Sequence, residues 1–345
     1  MALTGMPGLI ATQNPAASLN HPAPLATSGR IIFVSSTRPG RGDDNVGDDP
    51  LRPKATWAGA LRTLRTSGYT DRGDQIWLMP GHQETMRISA AIPMDVAGVD
   101  AFGMGRGASR PRITFESDTA ASIAISAANC GIYNVVGIAG IAGLTQPFDV
   151  TASDCTLNIE WQDASVSTAA ARAVLATSAD RLDFTVAYRG FAGTAQVVNA
   201  IRLIGCNHVA ITLDAYGNNS SAWVEMITTL CRNVFVRGKT YADGAKDGSR
   251  NVRDTTRNSV WGAEIWDLGR GVVLSGGSGL VMSPQNLSEV RLKAVLSDAG
   301  LLTIVDDVAL LKAQMNQVRF GLSNLLDIDL SELVDNDLSE LVVKT

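Results

Sequence analysis

One spacing constrains this chain more than any other feature: Cys130, Cys155, Cys206 and Cys231 stand 25, 51 and 25 residues apart. The interval of 51 is two periods of about 25, with Arg181 in the vacant slot. Five residues before the five slots stand Ile125, Val150, Ala176, Ile201 and Met226, all apolar. After the slots come alternating apolar runs: Cys155, Leu157 and Ile159; Leu182, Phe184 and Val186; Val209, Ile211 and Leu213; Val234 and Val236. Alternation with a period of two is a strand that turns one face inward. A unit of about 25 residues cannot bury that face alone, so the repeat predicts stacked coils that supply one another's backbone partners. Strands after the third and fourth slots begin one to three residues late, so turn lengths vary between coils. The expected fold is all-β, a right-handed parallel β-helix, with the cysteines as small core residues in a ladder.

Composition agrees with this reading. Charged residues are 18% of the chain and glycines number 33, as many short strands and tight turns require. The net charge of −5 comes without a basic block, so no footprint for a phosphate backbone is present and nucleic acid is not expected as a partner. No apolar run approaches the ~20 residues that span a bilayer, and the N-terminus has no basic segment followed by an apolar core. A chain without membrane partner or secretion signal is expected. The cysteines show no C-x-x-C spacing for zinc or redox work, and no cofactor or metal site is predicted from them.

Four segments follow. Residues 1–28, rich in Ala, Pro, Gly, Asn and Ser, form an extended arm. Its Met6, Leu9, Ile10 and Leu25 are apolar anchors for a partner, although a floppy terminus is the plainer alternative. Residues 29–115 form an N-terminal cap and the first coils. Ile31–Val34 reads as a strand, residues 38–53 as an acidic loop, and residues 57–67 as an amphipathic helix with Thr56 as N-cap, Trp57, Ala60, Leu61 and Leu64 on one face, and Gly68 as its stop. Residues 74–79 are the next strand. Laid across the first coil, such a helix shields a solenoid from edge pairing. Residues 116–283 are the β-helix coils, with weaker flanking coils at 96–103 with 113–115, and at 261–268 with 272–274. The polar stretch 239–259 has no period and is expected to protrude.

Residues 284–345 change period. Leu301, Ile304, Val308, Leu311, Met315, Val318, Leu322 and Leu325 follow alternating three- and four-residue steps, a heptad seam. With Leu301 at position a, Asp307 falls at g and Lys312 at the next e, the pairing of parallel helices. The mixed core residues, with no buried Asn, permit a trimer. The alternative is a single amphipathic helix lying back on its own coils, which Gly321 favours. The chain ends on two D-L-S-E-L-V repeats, residues 329–334 and 337–342, suited to docking or to fraying.

No catalytic chemistry is predicted. A glycosidase requires two convergent carboxylates, but Asp149, Asp154, Glu160, Asp163, Asp180, Asp183, Asp214 and Glu225 share no position in successive coils. Trp161, Tyr188, Tyr216 and Trp223 likewise form no common stripe for stacking sugars. The loop 43–49 resembles a calcium loop in composition only, lacking the spacing and closing Glu of an EF-hand. Arg41, Gly42 and Asp43 spell RGD, read as chance. His82 reads as a turn residue.

Residues 32–35, the Asp/Asn/Gly-rich loop, residues 53–60 entering the helix, residues 73–80 followed by Gly81, His82 and Glu84, and Gly103, Met104, Gly105 with residues 110–115 resemble the β-helix proteins of tailed phages and prophages in the pectate-lyase-like superfamily. The likeness covers residues 29–140 well and the later coils by pattern. It carries no catalytic residues, and the acidic calcium cluster of the lyases is missing from the coils. The resemblance implies a homotrimeric virion protein, assembled in the host cytoplasm. Its length suits a capsid decoration, cement or head-fibre protein bound to the major capsid protein. A tail fibre or tailspike that binds or depolymerises host polysaccharide is the alternative it leaves open.

Overall fold

Two long parallel sheets wind along the chain, and each coil adds one strand to both. The computed structural model describes residues 29–267, apart from 69, 166–167, 191–195, 242–249, 257–258 and 260, together with 274–275. Sheet A stacks β1 (Ile31–Val34), β2 (Asp74–Leu78), β5 (Val99–Gly103), β8 (Gly131–Ala139), β10 (Thr156–Asp163), β12 (Asp180–Arg189), β15 (Asn207–Tyr216), β18 (Arg232–Tyr241) and β20 (Trp261–Asp267). Beside them, β3 (Gln83–Met86) pairs with β6 (Arg112–Phe115), which pairs with β8. Sheet B stacks β4 (Ile92–Met94), β7 (Ile123–Ile125), β9 (Phe148–Val150), β11 (Val174–Thr177), β14 (Ile201–Ile204), β17 (Ala222–Met226), β19 (Arg250–Asp254) and β21 (Leu274–Ser275). A short pair, β13 (Gln196–Val197) and β16 (Asn218–Asn219), completes the described strands. The result is a parallel β-solenoid of about six turns with very little helix.

Alternation builds the core as the sequence predicts. Ile132, Leu157, Phe184, Ile211, Val236 and Ala263 form one inward column of sheet A, rung against rung. Val135, Ile159, Val186 and Leu213 form the next. All ten are buried, each large apolar side chain contributing about 1.5–3 kcal/mol relative to exposure. Trp161 stands opposite Gly137 on one side and Tyr188 on the other. A Cβ on Gly137 would lie 2.7 Å from the Trp161 ring, so the indole occupies the space that glycine leaves.

The structure corrects two slots of the repeat. At three of the four steps the amide after a slot donates to the previous slot's carbonyl, Thr156 to Cys130, Asn207 to Ala179 and Arg232 to Cys206, whereas Cys155 O accepts from the Asp183 amide. Ala179, buried, therefore fills the position read as Arg181, whose side chain is 58% exposed. Likewise Leu203, not Ile201, continues the column of Ile125, Val150, Ala176 and Met226. The reason is variable turn length: Ile125 and Cys130 are five apart, but Leu203 and Cys206 only three. The stretch 239–259 is also not wholly a protrusion, because residues 239–241 continue β18 and Arg250–Asp254 is a strand of sheet B.

The helix α1 (Trp57–Thr66) caps the first coil. Thr56 accepts from the Gly59 amide as N-cap, and Trp57, Ala60, Leu61 and Leu64 are buried against the solenoid end. The free edge of β1 is covered too: Phe33 N–H donates to Gly47 O at 2.7 Å, Lys54 N–H donates to Phe33 O at 2.8 Å, and Ser35 N–H donates to Lys54 O at 2.9 Å. An unpaired edge would template aggregation; here loop and helix remove it.

Candidate functional site

The acidic cap loop is a structural clamp. Asp43 Oδ1 accepts from Ala55 and Thr56 amides at 3.1 and 2.9 Å, and its Oδ2 accepts from Thr56 Oγ1 at 2.8 Å. Its carboxylate thus sits at the helix N-terminus, where the positive end of the backbone dipole favours it, and the RGD aspartate is engaged rather than presented. Among the described residues no three His, Cys, Asp or Glu side chains group as metal ligands. His82 closes the turn after β2, its backbone amide donating to Met79 O at 3.0 Å. It is fully buried, its Nδ1 accepts from the Ser36 amide at 3.0 Å, and its Nε2–H donates to Glu84 Oε2 at 3.1 Å. The accepting Nδ1 fixes the neutral tautomer. Glu84 in turn accepts from the Trp57 amide at 3.0 Å, so this chain of bonds ties the second coil to the cap helix.

The four thiols are free and buried. Burial pushes Cys130 up to about 12 and Cys231 up to about 11, which leaves little thiolate for nucleophilic or redox work near neutrality.

The outer wall of sheet A carries polar rows that sequence spacing missed. Glu160, Ala187, Asp214 and Lys239 occupy one row. Two strand spacings separate Glu160 from Asp214, roughly 9–10 Å, within reach of the wider glycosidase geometry. Both acids are committed elsewhere. Arg110 Nη2 bonds Glu160 Oε2 at 2.5 Å, and Gln162 bonds its other oxygen. Burial pushes the Glu160 carboxyl up, but these hydrogen bonds and the charge of Arg110 outweigh it and leave it below the usual range. A general acid needs the opposite shift. Asp214 Oδ2 accepts from Arg189 Nη2 at 2.6 Å. Beyond it, Thr212, Asp214, Arg237, Gly238, Lys239 and Glu264 line an open groove of about 500 Å³.

Trp161 and Tyr188, expected at unrelated positions, share one row, but they point inward and are buried. Tyr188 packs on Trp223 with ring centroids 5.5 Å apart. Only Tyr216 of the four is exposed. They are core, not a sugar platform.

A second row runs along one corner. Arg181, His208 and Asn233 all adopt left-handed backbone, φ 54°, 51° and 52°, a conformation disfavoured in most residues but tolerated by Asn and His. Arg181 bridges Asp154 (2.5 and 2.7 Å) and Asp180 (2.7 Å); His208 Nδ1 bonds Asp180 Oδ1 at 2.7 Å, and Asn233 Nδ2 bonds His208 Nε2 at 3.0 Å. The His208 and Arg181 contacts hold the Asp180 carboxyl below its usual range. Four coils are stapled externally by this ladder.

On the outer wall of sheet B, Arg202, Glu225 and Arg253 occupy successive rungs. Glu225, one of the acids that share no position in successive coils, is buried. Glu225 lies 23 residues after Arg202 and 28 before Arg253, so a fixed step of 25 misses both pairings and only the register makes them readable.

The anchors Met6, Leu9, Ile10 and Leu25, and the seam residues Leu301, Ile304, Val308, Leu311, Met315, Val318, Leu322 and Leu325, lie outside the described residues. No helix among the described residues is long and apolar enough to cross a membrane. Compared with protein-family models, curated proteins and solved structures, the chain shows no significant match. Fold and side-chain geometry define it as a capped parallel β-solenoid whose polar rows are largely tied into ion pairs.

Proposed function

We propose that this chain is a non-enzymatic structural protein of a tailed-phage virion, a homotrimer of right-handed solenoids that decorates the capsid by binding the major capsid protein. One observation carries the non-enzymatic part: Glu160 and Asp214, two acids that share a row of the sheet A wall, are each paired with an arginine, at 2.5 and 2.6 Å, instead of converging free on a cleft. The capped, stapled rod supports the scaffold role. The virion assignment draws on the resemblance of residues 29–140 to phage β-helix proteins, and the trimer on the heptad seam. A fibre that binds host glycan is the second reading, favoured by the charged groove of about 500 Å³ along sheet A.

Localisation by cryo-electron microscopy or immunogold on intact particles tests the assignment. Density on the head lattice is expected; density only at the tail tip would overturn the decoration reading in favour of the fibre. In solution, Leu311→Asp is expected to reduce the light-scattering mass from trimer to monomer. An unchanged mass would remove the seam as the assembly determinant.

A further inference from the structure

The Glu225 cluster has more positive than negative charge. Glu225 Oε2 accepts from Asn199 Nδ2 at 2.8 Å and from Arg202 Nε and Nη2 at 3.1 and 2.8 Å. Its Oε1 accepts from Ser221 Oγ at 2.8 Å and Arg253 Nη1 at 3.4 Å. One carboxylate is thereby satisfied by two guanidinium groups together with Asn199 and Ser221. Arg172 is the third: burial first, then the charge of Arg202, pulls it down to about 10, while Glu225 acts in the opposite sense. The half-buried group therefore has three cations for one described anion.

Two of its polar atoms are also unsatisfied. Arg172 Nε and Asn199 Oδ1 are buried and have no hydrogen-bond partner among the described residues. Asn199 is 0% exposed, and its amide donates to Ala171 O at 3.0 Å, which seats it beside Arg172. A buried donor or acceptor left unmade destabilises the fold, and excess buried charge costs more unless a counter-ion accompanies it. The cluster is reachable from solvent, since the Arg202 and Arg253 side chains are 19% and 37% exposed.

We propose that Arg172, Arg202 and Arg253 form a binding site for an oxyanion that also carries a hydroxyl, namely hydrogenphosphate or the carboxylate of a sugar acid. Guanidinium forks match the paired oxygens of either group. A hydroxyl proton satisfies Asn199 Oδ1, which an acceptor-only ion leaves bare. Glu225 positions two of the forks and does not itself contact the anion. The site is on sheet B, away from the groove of sheet A, and stands or falls independently of the virion assignment.

Calorimetric titration of the full chain with sodium phosphate and, separately, with sodium glucuronate, at constant ionic strength in NaCl, tests this. Saturable one-to-one binding of one of them is expected, weakened at least tenfold by Arg172→Gln and unchanged by Arg87→Gln, an exposed arginine paired with Glu116 elsewhere. Arg172→Gln also relieves repulsion on Arg202, so in anion-free buffer it is expected to melt no lower than wild type. Should that variant fail to fold, Arg253→Gln takes its place, with the same expected loss. Phosphate binding identifies a free or esterified phosphate as the ligand group, and glucuronate binding alone identifies an acidic sugar. No saturable heat with either probe, or binding that both arginine variants leave intact, overturns the proposal.

Discussion

Asp163 makes the solenoid's stability depend on pH in a direction opposite to ordinary acid denaturation. It ends β10 at 7% exposure. Its carboxyl accepts from Tyr188 OH at 3.1 and 2.9 Å, from Trp161 Nε1 at 3.3 Å and from the Ala170 amide at 3.4 Å. Burial nevertheless dominates these donors and pushes the group from 3.8 to about 6. The native state then binds this proton more tightly than the unfolded chain, so stability is highest below 3.8, falls as pH rises towards 6, and stays lowered above it. A shift of about two pH units corresponds to roughly 3 kcal/mol. Asp163→Asn keeps the shape and cannot ionise. The difference in unfolding free energy, wild type minus variant, is therefore expected to fall by roughly 2 kcal/mol between pH 4 and pH 7 in urea denaturation followed by circular dichroism, the rest of the effect lying below pH 4. Other titrating groups, including Asp100, which burial also raises to about 6, cancel in that difference. A flat difference, or one that rises with pH, would refute the reasoning and show that the Tyr188, Trp161 and Ala170 donors hold Asp163 ionised.

Two backbone features give further tests. Gly238 has φ +140°, and a Cβ there would lie 1.9 Å from Leu213 O on the neighbouring strand, so Gly238→Ala is expected to cost at least about 3 kcal/mol by the same denaturation assay; a cost below about 0.5 kcal/mol would contradict the register of β15 and β18. Asp43→Ala removes three bonds at the start of α1 and is expected to cost about 1–2 kcal/mol, whereas an unchanged denaturation midpoint would mean that the loop does not clamp the cap.

The period of the coils was legible because it rests on side chains that face inward. Cys130, Cys155, Cys206 and Cys231 are all buried, and substituting a large polar residue there would open or crowd a stacked column. The cap helix was legible for the same reason: Trp57, Ala60, Leu61 and Leu64 show a helical period on one face, and Thr56 closes its first turn. The slot assigned to Arg181 was lost because β12 begins at Asp180, just after Ala179, and Arg181 takes left-handed backbone two residues after the slot. A fixed period of 25 cannot anticipate a 27-residue step such as that from Asp180 to Asn207.

The outward rows fail to show in the sequence for a physical reason that the inward columns avoid. Water tolerates any polar residue on an exposed rung, so those positions carry no repeated residue type and reveal their neighbours only through register. Glu160 and Asp214 are 54 residues apart, Arg202 and Glu225 are 23 apart, and Glu225 and Arg253 are 28 apart, yet all are near neighbours on a wall. One-residue errors in register would place these side chains on the opposite face. Charge recognition on a solenoid is therefore set by turn lengths as much as by residue identity: lengthening the 23-residue step between Arg202 and Glu225 by one residue within β17 would turn Glu225 inward, leave Arg172, Arg202 and Arg253 without their carboxylate, and spare the apolar columns upstream of the change.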